Sequence, residues 1–327
     1  MNRYLLPFVL LLAALLALLA ACGDDSDNGG GANGDDDGGI PTSLDGAGVP
    51  SPAIDRSDMP FKIVVSLPIF GEFARLMAGD HAEVTVLIPP GEDPHTYVPD
   101  DSLAAKVEEA DMVFYNGLGL EPQTQAFIEQ HLPDRRQFVI DFVRNVPSPT
   151  TEQPVDRPIY AKDVGDEPHL FLDPLLATIY PETVSDSLVI KDSGNKGYYL
   201  GRYEAYEALL EALDAEIATA LAAIEPRPIV TYHNSLTHFA SHFGLTVAGT
   251  LADDGEEALE QAIASGEVAA VFTEEGYPED ELREIAEQGG VPVCHLYTDT
   301  IEDEERTYLE MMRANAEALV ECLRDPS

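Results

Sequence analysis

Residues 195–224 read NKGYYLGRYEAYEALLEALDAEIATALAAI, a stretch without a single proline. Leu209, Leu213, Ile217 and Leu221 recur every four residues, a spacing that lines them up on one helix face. A helix of that length spans ~45 Å, longer than the usual element of a compact domain. Glu225-Pro226 then stops it, because the residue before a proline is driven out of helical conformation. The stretch reads as one long helix joining two lobes.

Both flanks alternate short apolar runs with helical ones. Before the link, strands are expected at 62–67, 83–88, 111–117 and 137–141, with helices at 70–79 and 101–110. Beyond it come strands at 228–233, 245–250, 268–274 and 291–297, interleaved with helices through Phe243 and at 256–266 and 278–290, and a helix near the C-terminus. Such alternation predicts an α/β fold of two lobes, each with a mainly parallel sheet flanked by helices. The boundaries expected are 59–194 for the first lobe, 195–225 for the linking helix and 226–327 for the second.

The N-terminus has a different character. One arginine precedes a run from Leu5 to Ala21 of almost only Leu, Ala, Val and Phe, and Leu19-Ala20-Ala21-Cys22 follows. That describes a secretory signal, and its end resembles the bacterial lipobox. The resemblance implies cleavage before Cys22, a lipid on its sulfur, and a protein held on the outer face of the cytoplasmic membrane. A transmembrane anchor is the competing reading of residues 1–22, because the run approaches the ~20 residues needed to span a bilayer. Residues 23–58, rich in Gly, Asp, Asn, Ser and Pro, read as a flexible acidic tether. With Cys22 lipidated, Cys294 and Cys322 remain; an oxidising compartment permits their pairing, and sequence alone leaves it open.

The 327 residues carry 18 basic and 60 acidic side chains, a net charge of −42. Nucleic acid is excluded as a partner, since neutralising phosphates needs Lys and Arg. A salt-rich habitat and a plain acidic bias both account for the excess.

Two loops share an order of residues: Glu92-Asp93-Pro94-His95 and Asp166-Glu167-Pro168-His169. His95 follows the strand at 83–88, His233 ends the strand at 228–233, and Asp299 follows the strand at 291–297. Open α/β sheets place ligands at such carboxyl ends. His169 stands in the loop before Phe171-Leu172-Asp173-Pro174. Two candidates belong to each lobe, so a single site in the cleft could use all four. Three imidazoles and one carboxylate suit Zn²⁺ at ~2.0–2.2 Å, with Mn²⁺ as the alternative. Asp93, Glu167, Asp173 and Glu274 stand close enough in sequence or topology to orient the imidazoles.

Five segments, in order, carry a family resemblance: LIPPGEDPHTYVP, DMVFYNGLGLE, DEPHLFLDP, VTYHNSLTHFASHFGL and LYTDTI. From about residue 61 to 324 the chain resembles the solute-binding lipoproteins of zinc and manganese ABC importers, the cluster A-I proteins. The resemblance implies His95, His169, His233 and Asp299 as ligands of one transported ion per chain, a rigid helix between the lobes, a membrane permease as partner and a monomeric protein. His238 stands where relatives usually carry an aromatic residue, and His242 replaces a commonly basic or polar position. Four residues apart on a helix, this pair is also spaced for zinc, although a polar helix face is the preferred reading. No histidine-rich loop lies between the first two ligands. The manganese branch often has Glu as third ligand, so His233 tilts the set toward zinc. His81, His131 and His295 are read as structural, the first two at the surface.

Binding and delivery of a metal ion, without catalysis, is the reading these features favour. Release would require a shift of a lobe or of a ligand loop. A secreted zinc hydrolase is a second reading, with Glu274 or Glu275 as base; HExxH and GxSxG are both absent. A surface adhesin, a role attributed to some relatives, is a third.

Overall fold

The computed structural model describes Leu44 and residues 49–132, 138–143, 145–148, 151–156, 166–225, 227–303 and 306–324. The expected signal segment, Cys22 and most of the tether lie outside the described residues.

The apolar runs of the first half become β1 (Phe61–Val65), β2 (Ala82–Val86), β3 (Met112–Tyr115) and β4 (Phe138–Asp141). They pair in parallel in the order β2-β1-β3-β4. β3 is buried at every position, which is why it reads as an unbroken apolar run. Helices α1 (Pro68–Ala78), α2 (Ala104–Glu109) and α3 (Pro122–His131) accompany these strands. Prolines open α1 and α3, where a missing N–H costs nothing. An antiparallel hairpin, β5 (Asn145–Ser148) and β6 (Thr151–Asp156), precedes α4 (Ile179–Lys191).

The long helix is α5, Lys196–Leu221. It buries Tyr199, Arg202, Tyr206, Leu210, Leu213, Ile217 and Leu221, a stripe at helical spacing that passes through Leu210 and leaves Leu209 half-buried. The second lobe runs β7 (Ile229–Thr231), α6 (Thr237–Phe243), β8 (Val247–Thr250), α7 (Leu251–Asp254), α8 (Glu256–Ala264), β9 (Ala270–Glu274), α9 (Asp280–Gly289), β10 (Val293–Leu296) and α10 (Tyr308–Leu323). Its strands are parallel in the order β10-β9-β7-β8. A capping box of Thr307 and Glu310 starts α10. Cys294 on β10 and Cys322 near the end of α10 are joined as a disulfide across 28 residues, a loop closure that contributes about 3–4 kcal/mol.

The lobes share one core. Ile63, Phe70, Tyr180 and Tyr206 belong to the same buried cluster as Ile229, Phe272, Met312 and Leu319. Tyr308 of α10 donates its hydroxyl to the Phe171 carbonyl at 2.7 Å and its N–H to Glu72 at 2.6 Å, tying the last helix to the first lobe.

Two expectations are corrected. Residues 49–57, within the expected tether, lie against the first lobe. Ile54 exchanges two 2.8 Å hydrogen bonds with the Asn195 side chain, and Arg56 pairs with Asp192 at 2.7 Å while covering the Phe61 ring. Backbone pairing with a distant side chain leaves no compositional trace. His81, expected at the surface, is 2% exposed and bonded through Nδ1 to the Tyr199 hydroxyl at 2.8 Å. Burial holds its pKa below the usual histidine value.

Candidate metal centre

Each sheet changes direction of winding beside its central strand, β1 next to β3 and β7 next to β9. The crevice at the carboxyl end of such a switch point is where an α/β sheet offers a site. In the second lobe His233 lies two residues beyond β7, and Glu274 is the last residue of β9. In the first lobe Asn116 directly follows β3. Its side chain donates to the Pro168 carbonyl at 2.9 Å and accepts from Tyr180 at 2.7 Å. Buried Asn116 thereby fixes the loop that presents His169. The His95 loop is held differently: Asp93 accepts from the His95 N–H at 2.9 Å and from the Thr96 hydroxyl at 2.7 Å, an Asx-turn made within the loop. The neighbouring Gly91 N–H reaches Thr300 Oγ1 at 2.9 Å in the other lobe.

Four side chains converge. One donor atom from each of His95, His169, His233 and Asp299 lies within 4.8 Å of every other. Asp299 Oδ1 is 3.0 Å from His169 Nε2; Oδ2 is 3.0 Å from His233 Nε2 and 3.4 Å from His95 Nε2. His169 Nε2 and His233 Nε2 are 3.3 Å apart. All three rings thus direct Nε2 at the carboxylate, and the other nitrogens of two are engaged: His169 Nδ1 by Glu167, and His233 Nδ1 by Glu274 at 2.9 Å. Such partners select the tautomer with a free Nε2. The Asp299 side chain is fully buried while that of His95 is 30% exposed, so the centre opens to solvent past His95. A cavity of about 430 Å³ lined by His95, Pro168, His169, His233, Asn234 and Asp253 marks that opening.

The electrostatics follow from burial and pairing. Burial lowers the affinity of His169 for a proton, but the charge of Asp299 and the bonds to Asp299 and Glu167 outweigh it, raising the pKa to about 9. His233 behaves alike: burial lowers its pKa, and Asp299 and Glu274 raise it to about 10. Burial disfavours the Asp299 anion, yet the three histidines hold its pKa well below the ordinary carboxylate value. Without a cation, protons on imidazoles supply the positive charge that this buried carboxylate demands.

The acids expected to orient imidazoles divide. Glu167 and Glu274 reach rings; Asp93 holds the His95 backbone instead. Asp173 turns away from His169, accepts from the N–H groups of Leu175 and Leu176, and pairs with His242 Nδ1 at 2.8 Å. His238 approaches Glu167 Oε2 at 3.1 Å. His238 and His242 therefore bond to acids at the two ends of the His169 loop rather than forming a solvent face, and the described residues offer a single converging donor group. His295 lies beside Glu275 and Glu279. Sequence reasoning passed over Asn116 and Tyr277. Tyr277 donates its hydroxyl to Asp299 Oδ2 at 2.5 Å; its only sequence signal was a turn following a strand that already carried Glu274.

The model of the family described as zinc-uptake complex component A, periplasmic (ZnuA), matches residues 63–322. The chain belongs to this ZnuA family. Among curated relatives, it is 29% identical over 292 residues to the manganese-binding lipoprotein MntA of Halalkalibacterium halodurans, covering 85% of this chain and 93% of that one. It is 27% identical over 280 residues to the iron ABC transporter substrate-binding lipoprotein MtsA of Streptococcus pyogenes, covering 80% and 88%. Its fold is similar to that of the periplasmic zinc binding protein TroA from Treponema pallidum, with a TM-score of 0.69 at 22% identity over 80% of this chain and 99% of that one. The two-lobed ZnuA architecture with its long helix is thus present here.

Proposed function

We propose that this chain captures one divalent transition-metal ion outside the cytoplasmic membrane and delivers it to the permease of an ABC importer, working as a monomer held by a lipid on Cys22. The convergence of three Nε2 atoms on one buried carboxylate carries the reading. The names of the relatives support it, since they include manganese-binding and iron-transporting lipoproteins. His95, His169, His233 and Asp299 are the ligands in this proposal. Zinc is the preferred ion, because three neutral nitrogens and one oxygen form a four-donor set typical of it, whereas manganese favours oxygen-rich sets.

Of the two bases named for the hydrolase reading, Glu275 lies beside His295 at 3.2 Å, and Glu274 is fully engaged. Glu274 is 1% exposed. One of its oxygens accepts from the N–H groups of Tyr232 and His233, and the other from the hydroxyls of Ser235 and Thr298. A carboxylate so engaged orients His233 rather than activating water. Titrating metal-free protein with zinc and manganese against a competing chelator tests the proposal. Tight one-to-one zinc binding that equimolar manganese does not displace is expected. Preferential manganese binding would overturn the zinc assignment, and no binding of either ion would overturn the function.

A further inference from the structure

Tyr277 enters the centre from the turn after β9. Gly276 takes a positive φ of 86° there and packs so closely on Thr300 that a Cβ would stand 3.0 Å from its methyl carbon. The Tyr277 ring lies 4.8 Å from the His233 ring and stacks on Tyr232 at 4.7 Å. Its hydroxyl, 2.5 Å from Asp299 Oδ2, is also 3.1 Å from Asp93 Oδ1 of the first lobe.

This contact makes the two oxygens of Asp299 unequal. Oδ2 accepts a hydrogen bond from the phenol while also facing His233 Nε2 at 3.0 Å and His95 Nε2 at 3.4 Å. Oδ1 is buried, takes no bond from Tyr277, and faces His169 Nε2 at 3.0 Å. A carboxylate can bind a cation through one oxygen or through both. Zinc is satisfied by four donors and so by one carboxylate oxygen. Manganese favours more oxygens and a higher coordination number, which brings the second oxygen into use. A charge-assisted O–H···O⁻ bond is among the stronger hydrogen bonds, and it both restricts rotation of the carboxylate and draws electron density from Oδ2.

The geometry points to Tyr277 as a determinant of cation preference: by holding Oδ2 it leaves Asp299 one oxygen to offer and keeps the donor set at four. The inference rests on the metal-capture reading above. Tyr277 acts through Asp299 and is a positioning residue. A cation that needs both oxygens competes with the phenol; one that needs Oδ1 alone does not.

Tyr277→Phe keeps the ring and its stacking and removes only the hydroxyl. Zinc and manganese affinities are measured on the same preparations of wild type and variant, so the ratio is independent of the fraction folded. The zinc-over-manganese ratio is expected to fall about tenfold, the lower end of what removing a ligand's hydrogen-bond partner does to metal affinity. X-ray absorption of the manganese-loaded variant should show an added oxygen neighbour relative to wild type. A ratio within twofold of wild type, in a protein that still binds zinc, overturns this inference and leaves metal capture standing. Failure of the wild type to bind either ion overturns both.

Discussion

Changing His169 to alanine is expected to weaken zinc binding about 10²- to 10³-fold. Four-donor protein zinc sites bind with ~10–16 kcal/mol, so an equal share per donor is ~2.5–4 kcal/mol, and each 1.4 kcal/mol is a factor of ten. His169 should reach at least that share. Its side chain is 3% exposed, Glu167 engages its Nδ1, and Asn116 holds the loop behind it through the Pro168 carbonyl. Among the described residues His238 is committed to Glu167 and His242 to Asp173, so neither histidine replaces it. The double change His95→Ala/His233→Ala removes a donor from each lobe and should abolish tight binding. Chelator competition gives the affinities, and a thermal melt of the metal-free variants checks that they fold. A loss of less than threefold in a folded His169→Ala protein would mean that the cation sits elsewhere.

Zinc affinity should climb steeply with pH, by about two log units per pH unit near neutrality. With pKa values of about 9 and about 10 in the metal-free protein, His169 and His233 are both protonated at pH 7, and each must lose its proton to bind a metal. Two protons are therefore released per ion. The slope should fall toward one above about pH 9 and vanish beyond about pH 10. Stability of the metal-free protein runs the other way. The folded pKa values lie above the unfolded histidine value of ~6.5, so the stabilisation from these two groups is complete below ~6.5 and is lost as pH rises through about 9 and 10. Asp299 has the opposite sign: its depressed pKa stabilises above the unfolded carboxylate value and is lost in acid. The gain in melting temperature on adding zinc should thus widen between pH 6 and pH 9. Proton release measured in weakly buffered titrations at pH 7 is the direct check, and release of one proton or fewer would contradict these charge states.

Much of the architecture was legible because its signals are local. β3 is buried on both sides and reads as a solid apolar run, while α9 carries its apolar residues on one stripe and ends at Gly290 in the left-handed conformation. The four converging side chains were legible too: His95, His233 and Asp299 lie beyond strands, and a proline precedes both His95 and His169. Helix α4 was not. It buries Ile179, Tyr180, Thr183, Val184, Ser187 and Leu188, residues spread around its axis because it packs against both α1 and α5. A helix buried on several sides has no stripe to read. His81 and Asp173 misled for a related reason: their partners, Tyr199 and His242, are distant in sequence. Tyr277 was missed because a tyrosine after a turn has many uses, and only three dimensions put it on Asp299.

The shared core has a consequence for how a partner could tell a filled protein from an empty one. Buried side chains of both lobes interlock along α5, and α10 is fastened to Glu72 and Phe171. One half cannot swing about the other without tearing that interior open. Exchange of the ion is then an affair of the loops that bear His95 and His169, and the outline of the molecule stays constant. Small-angle scattering curves of the loaded and stripped forms should superimpose, and a clear change in radius of gyration would refute this. The message that cargo is aboard would be written in a few residues at the rim and read by touch, not by shape.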